Sequence, residues 1–396
     1  MATYELIATA AFGLESQVAW ELKALGHADQ MVEHGRVRFR ADEVGIARAS
    51  LWLRVADRLQ LVVGEFPART FDELYDGVRG LPWADLLARD AALPVDGKSV
   101  KSMLTSVPAV QGVVKKAIVD ALARRHRLTV LPETGARHRV LVALREDLAT
   151  LTLDLTGDGL HRRGYRDLVG AAPLKETMAA GLVSLARWKG DWPLVDPMCG
   201  SGTIAIEAAL QALDIAPGLR RTFDAERFRF LPVAAWEAAR EEARSRARQD
   251  REIRVHASDR DPEAVALTVR HARQAGVASA IRIVRAPLRD LAPAETRGLI
   301  VTNPPYAERL GDGPEVESLY RQMGQVVGRL PGWAAHVLCA HESFERHFGR
   351  PADRRRKLYN GNLRCQLYQY RAVPAPREDA GVEPDGGTLG GGGPLR

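Results

Sequence analysis

The run Leu194-Val195-Asp196-Pro197-Met198-Cys199-Gly200-Ser201-Gly202-Thr203 carries an apolar strand into a glycine turn, and a helix opens near Thr203. Ligands of open α/β sheets bind where strands end, and glycine lets a ligand approach the backbone closely. The loop is neither G-x-G-x-x-G nor a phosphate-binding P-loop, because no lysine follows its glycines. What sharpens it is Asp196, a carboxylate at the strand tip suited to a cationic amine. The amino group of a bound methionine moiety fits there, with its carboxylate near the helix N-terminus. Some sixty residues on, the strand Arg254–Ser258 runs into Asp259-Arg260-Asp261. An acid ending the second strand can take both hydroxyls of a ribose. Asp259 is placed for that role, and Asp261 for starting the next helix.

The third segment is Thr302-Asn303-Pro304-Pro305-Tyr306, directly after the apolar run Gly298–Val301. Consecutive prolines force an extended backbone and remove two N–H donors. The Pro304 carbonyl can then accept a hydrogen bond beside the Asn303 amide oxygen. Two acceptors facing one –NH2 group would hold its nitrogen lone pair toward an electrophile. Tyr306 offers a flat face on which a flipped base can stack.

These segments need a scaffold, and the chain supplies one. From 178 to about 372, helices alternate with short apolar strands at Pro193–Asp196, Arg254–Ser258, Ile281–Arg285, Gly298–Thr302, Ala334–Ala340 and Leu363–Tyr370. That alternation predicts an α/β domain with a largely parallel sheet. Upstream, residues 1–62 mix strand-like runs (Tyr4–Thr9, Arg36–Phe39, Leu59–Gly64) with helical periodicity in Leu14–Leu25 and Val44–Leu51, which predicts a small α+β unit. Residues 63–156 form a second unit with a helix near Ala109–Ala123 and strands at Arg139–Leu144 and Ala149–Leu155. Residues 157–177 read as a connector. The segment 374–396, rich in Pro and Gly, reads as a disordered tail.

At 396 residues the chain is long enough for two or three domains, and its 46% apolar and 27% charged residues suit globular units. No stretch approaches the roughly 20 apolar residues of a membrane span. The N-terminus lacks the pattern of a signal peptide. Three scattered cysteines argue against disulfides or zinc and for a reducing, cytoplasmic setting. The ten histidines show no ligand spacing, so no metal is expected. Cys199, inside the glycine loop, reads as a small packing residue.

The net charge of +6 comes from arginine, 48 against 8 lysines. Arginine offers a planar fork that matches phosphate. Between Lys98 and Arg127 lie seven cations (Lys98, Lys101, Lys115, Lys116, Arg124, Arg125, Arg127) and one acid, Asp120. Lys116, Arg124 and Arg127 share a helical face opposite the apolar stripe. Such a run is either a solvated face or the footprint of a phosphate-binding surface. A second basic cluster spans Arg354–Lys357.

Taken in order, DPMCGSGT, SDRDP and TNPPY resemble a class I amino-methyltransferase. The stretches FPARTFDELYDGVRGLPW, LPVDGKSVKSMLTSVPAVQGVVKKAIV, LTLDLTGDGLHRRGYRDLVGAAPLKETMAAGLV and KLYNGNLRCQLYQY look like the THUMP-containing bacterial RlmL group. The similarity covers about residues 3 to 372. It implies a Rossmann-like methyltransferase domain (178–373) preceded by ferredoxin-like (1–62) and THUMP (63–156) α+β domains. It also implies S-adenosylmethionine as cofactor, and transfer of its methyl to the exocyclic N2 of a guanine in 23S rRNA or a ribosome precursor. By this resemblance Asp196, Pro197, Cys199, Gly200, Ser201, Gly202 and Thr203 would line the methionine end, with Asp259 at the ribose. Asn303, Pro304, Pro305 and Tyr306 would hold the amine, and Lys175 and Thr177, within Lys175-Glu176-Thr177, would close over the cofactor. The acid that many class I enzymes place after the third strand is replaced here by Arg285-Ala286-Pro287, and the nearest carboxylate is Asp290. Some family members carry a second fused methyltransferase, which is not expected here. Methylation of tRNA guanine, methylation of DNA adenine N6, and a catalytically dead RNA-binding assembly factor are the competing readings. The basic run upstream favours RNA, and the intact glycine loop and Asn303 favour an enzyme.

Overall fold

The computed structural model describes residues 2–166, 174–305 and 313–373, built on two seven-stranded sheets. The first begins with β1 (Tyr4–Ala10), α1 (Glu15–Ala24), β2 (Gln30–Glu33), β3 (Arg36–Ala41), α2 (Glu43–Trp52) and β4 (Ala56–Pro67). Alternation sets the face of each strand: in β3, Val37, Phe39 and Ala41 are buried while the residues between them are less so. The order β2-β3-β1-β4 with this βαββαβ succession is ferredoxin-like. The same sheet continues through β7 (Leu148–Asp154), β6 (Val140–Arg145) and β5 (Val95–Val100). β4 pairs with both β1 and β7, so one twelve-residue strand serves both units, with its register against β7 shifting between Val62 and Gly64.

Helix α3 (Phe71–Arg79) starts at a capping box in which Thr70 and Glu73 satisfy each other's backbone donors. After the short α4 (Trp83–Leu86), α5 (Val107–His126) crosses between the parallel strands β5 and β6 and buries Val110, Val114, Ala117, Ile118 and Leu122. It runs beyond the expected Ala109–Ala123 at both ends and stops where Arg127 turns left-handed, at φ +55°. Glu146 and Asp147 both have positive φ, which makes the tight turn joining β6 to β7.

The second sheet has the order β10-β9-β8-β11-β12-β14-β13. Its members are β8 (Leu194–Asp196), β9 (Val255–Asp259), β10 (Ile281–Arg285), β11 (Gly298–Thr302), β12 (Trp333–Cys339), β13 (Arg354–Asn360) and β14 (Leu363–Tyr370). The first five are parallel, and β14 enters antiparallel beside β12. Helices α6 (Glu176–Leu185), α7 (Thr203–Ala212), α8 (Val233–Arg246), α9 (Pro262–Ala275), α10 (Gly313–Gly328) and α11 (Phe344–Phe348) accompany it. β11 is buried at every position, as a strand covered on both faces must be. Strand order reverses between β8 and β11, and the crevice beyond their carboxyl ends is the binding position this topology provides. The basic cluster Arg354–Lys357 is the start of edge strand β13, whose charges suit an edge that pairs on one side only.

The two halves are bonded tightly together. Arg163, almost wholly buried, donates to the carbonyls of Leu160 and Arg54 and lies 3.5 Å from Glu207 of α7. Arg54 in turn donates to the Ile215 carbonyl at 2.9 Å, and Ser184 bonds Gln17 at 2.6 Å. Among the described residues no helix is long and apolar enough to cross a membrane.

Candidate functional site

Asp196 closes β8 and Thr302 closes β11, and the Thr302 hydroxyl donates to Asp196 Oδ1 at 2.8 Å. This bond ties the first and third sequence motifs together across the crevice. Asp196 is 2% exposed, and burial pushes its carboxyl up to about 7, opposed by the Thr302 bond and the Met198 N–H and reinforced by the charge of Asp259. A carboxylate kept out of water and aimed at a strand-end cavity favours a cation that can share its burial.

The glycine loop wraps this position because other elements hold its backbone. Gly200 N donates to Asp259 Oδ2 at 3.0 Å, Thr268 donates to the Gly200 carbonyl at 2.8 Å, and His271 Nδ1 meets the Ser201 carbonyl at 3.1 Å. Gly202 has φ +80°, and a Cβ there would stand 2.6 Å from Thr268 Cγ2, so both conformation and space require glycine. The loop delivers the chain to the N-terminus of α7, where backbone N–H groups and Thr203 face the cavity.

That cavity, about 340 Å³, is lined by Asp196, Met198, Cys199, Gly200, Ser201, Thr203 and Asn303, with Leu174, Ile204, Asp261, Glu263, Ala264 and Leu267 completing it. Asp196 and Asn303, 107 positions apart in sequence, therefore share one wall-to-wall space. The volume is that of a small-molecule site. Pro304 is buried, and the Pro305 carbonyl accepts from Tyr320 of α10 at 3.1 Å, which pins the loop after β11. Tyr306 lies outside the described residues.

Other expected residues fall elsewhere. Asp259 does not line the cavity: its two oxygens accept from Gly200 N and Asp261 N, so it braces the glycine loop. Asp261 caps α9 by accepting from Glu263 N, and it also reaches the cavity. Pro197 is buried and Gly202 is turned into α9, and neither lines the cavity. Asp290 is 60% exposed on its side chain, pairs with its neighbour Arg289, and stands outside the cavity. Thr177 is buried and spends its hydroxyl on Asp57 at 2.8 Å, joining the two halves of the molecule instead of closing over a ligand. Lys175 lines a different, larger cleft.

Sequence reasoning missed Arg166 and Leu174. Arg166 Nη2 donates to Thr203 Oγ1 at 2.5 Å and to the Leu174 carbonyl at 3.1 Å, and Nε lies 3.4 Å from Glu176. It thus staples the connector to the start of α7, with Leu174 as an apolar wall of the cavity. A lone arginine in an aperiodic segment gives no pattern to find it by. The basic residues on β5 and α5 sit at the far edge of the first sheet, outside this cavity. Lys98, Lys101, Lys116, Arg124, Arg125 and Arg127 are exposed, while Lys115 pairs with Glu133 at 3.0 Å. Cys199 is buried, and burial raises its thiol well above the ordinary range, which fits packing and not nucleophilic attack. No metal-holding group of His, Cys, Asp or Glu occurs among the described residues.

A pH effect follows from Asp196. The folded carboxyl is raised from 3.8, so the empty fold binds an extra proton between about 4 and 7 and loses that stabilisation as pH rises through about 7. Binding of an ammonium group requires the ionised form. Affinity for such a ligand should therefore climb about tenfold between pH 6 and 8, with proton release on binding. Calorimetry in buffers of different ionisation enthalpy checks this, and a flat profile would reject it.

A parallel sheet with a reversed strand order, an antiparallel strand beside β12, a glycine loop and a buried strand-end acid define a Rossmann-like methyltransferase domain, here attached to a ferredoxin-like and THUMP-type sheet. The chain belongs to the RMKL-like methyltransferase-domain family, whose model matches residues 163–369. Models for the RlmL ferredoxin-like domain and the THUMP domain match residues 5–60 and 68–154. It is 43% identical to YpsC of Bacillus subtilis (strain 168), named as a candidate RNA methyltransferase, over 95% of this chain and 98% of that protein. It is 32% identical to the ribosomal RNA large subunit methyltransferase K/L of Marinomonas sp. (strain MWYL1), covering 93% of this chain but 52% of that protein. A crystal structure from Listeria monocytogenes str. 4b F2365, described as a predicted N6-adenine-specific DNA methylase, superposes with TM-score 0.90 at 46% identity, covering 94% of this chain and 97% of that one. SMU.472, a candidate methyltransferase solved in complex with SAH, gives TM-score 0.89 at 41% identity, covering 95% of this chain and 100% of that one.

Proposed function

We propose that the chain is an RNA methyltransferase that uses S-adenosylmethionine and modifies the exocyclic N2 of a guanine in 23S rRNA. The observation that carries this reading is the shared cavity of Asp196 and Asn303 at the switch point of the sheet. The residues present fit the cofactor: a buried acid lifted to about 7 suits its ammonium, and the N-terminus of α7 suits its carboxylate. Ser201 and Thr203 add hydroxyls, while Leu174, Ile204 and Leu267 give apolar walls. When bound, the cofactor supplies a methyl group already made electrophilic by its sulfonium.

The protein's own work is positioning. Asn303 and the Pro304 carbonyl accept from the target –NH2, orient its lone pair and stabilise positive charge gathering on that nitrogen. The buried Thr302–Asp196 bond fixes the loop relative to the cofactor-holding acid. The THUMP match supports RNA as the substrate, and the K/L relatives support large-subunit ribosomal RNA.

The test incubates the protein with radiolabelled S-adenosylmethionine and separated rRNA and tRNA pools, then identifies the nucleoside by mass. N2-methylguanosine in rRNA is the expected product. Label in tRNA alone would move the substrate, label on adenine would overturn the guanine assignment, and label in neither pool would reject an RNA methyltransferase.

A further inference from the structure

A separate cleft of about 1340 Å³ lies between the connector, the loop before α8, and α8 itself. Nine of its lining residues are Arg or Lys, against four acids, so the cleft is strongly positive. Its arginines divide into two kinds. Arg163, Arg221 and Arg240 are spent on the fold: Arg221 alone donates to the carbonyls of Thr156, Asp158, Gly159 and Arg162, and Arg240 binds Leu219, Arg221 and Glu226.

Three others are loosely held. Arg162, Arg227 and Arg244 expose 68%, 60% and 60% of their side chains, and their acid partners Asp158, Asp224 and Glu241 lie 3.2 to 3.9 Å away. Surface pairs of this kind contribute little, so each guanidinium can exchange its partner for a phosphate. Lys175 carries no ion pair among the described residues. The cleft also adjoins the cofactor cavity through one side chain: Arg166 lines the cleft while bonding Thr203 and Leu174, both walls of the cofactor cavity.

We infer that this cleft binds the backbone phosphates of the RNA strand next to the target nucleotide. The inference rests on the RNA-methyltransferase reading and adds where the strand lies. A polyanion fits better than a small ligand, because the cleft is open and several times larger than the cofactor cavity, and its free charges are spread along its walls. Phosphates seated there would bring a neighbouring base toward Asn303, and the distant β5–α5 face would hold a further part of the same RNA.

The test replaces Arg162, Arg227 and Arg244 together by alanine. None of them touches the cofactor cavity, so S-adenosylmethionine affinity and the thermal transition should stay as in the parent. The dissociation constant for in-vitro-transcribed 23S rRNA, followed by filter binding across a KCl series, should rise about tenfold or more, and the salt slope should fall by about 2 to 3. The KM for RNA should rise with kcat largely kept. A variant that binds and methylates as the parent does, with an unchanged slope, overturns the cleft assignment and leaves the enzymatic reading standing. A parent that binds the transcript without methylating it, while the variant loses binding, sinks the enzymatic reading and keeps the cleft.

Discussion

Asp196→Asn is expected to cut S-adenosylmethionine affinity by about 100-fold or more while leaving the fold as stable as before or more so. The two halves of this expectation have one cause. An ionised carboxylate with 2% exposure costs the empty fold free energy, on the order of 4 kcal/mol for a shift from 3.8 to about 7. That cost is recovered only when a cation arrives. Asparagine keeps an oxygen for the Thr302 hydroxyl and the Met198 N–H, so β8 and β11 stay joined. It loses the charge, and with it both the strain and the attraction. The variant should also lose the pH dependence of binding between 6 and 8. Titration calorimetry with a parallel thermal scan checks all three results. Affinity within threefold of the parent would show that no ammonium sits against Asp196.

The pattern that made Asp196 visible was local, and this explains what the sequence revealed and what it hid. Strand, acid, glycine turn and helix follow one another within ten residues, so their physical roles can be read in order. The same holds for β11 and the Asn-Pro-Pro run. Asp259 was found as a strand-end acid, yet its oxygens face the backbone of the neighbouring loop, because Gly200 N lies across from it in the turn after β8. Only the register between β8 and β9 reveals that. Thr177 has its hydroxyl bonded elsewhere for a related reason. It stands one residue from Glu176 in a segment near the cavity, but the helical rotation of α6 turns its hydroxyl to Asp57 in the other half of the molecule.

The units themselves were legible through hydrophobic period. β4 is a single strand that serves both units, and its register against β7 shifts between Val62 and Gly64, a bulge that hydrophobic period alone does not announce. The charged strands β13 and β5 were hidden by composition. Arg354–Lys357 reads as a basic patch until its pairing with β14 is known, and Gly97 with Lys98 obscures β5 in the same way. Edge strands bury little, so they need little apolar sequence.

Asn303→Ala should lower the single-turnover methylation rate by about 100-fold or more with S-adenosylmethionine affinity preserved. The separation is possible because the loop has anchors on both sides of the asparagine. Before it, Thr302 is held by Asp196 at 2.8 Å. After it, the Pro305 carbonyl is held by Tyr320, a fully buried side chain of α10. Truncating Asn303 therefore removes an acceptor while the Pro304 carbonyl stays where it was. With one acceptor remaining, the target amine can rotate, and its lone pair spends less time aligned with the methyl group. Asn303→Leu fills a similar space without an acceptor and should stay about as slow as the alanine variant, which a simple loss of packing would not allow. If the alanine variant turned over as fast as the parent under saturating RNA and cofactor, the amine would have to be held by some other group.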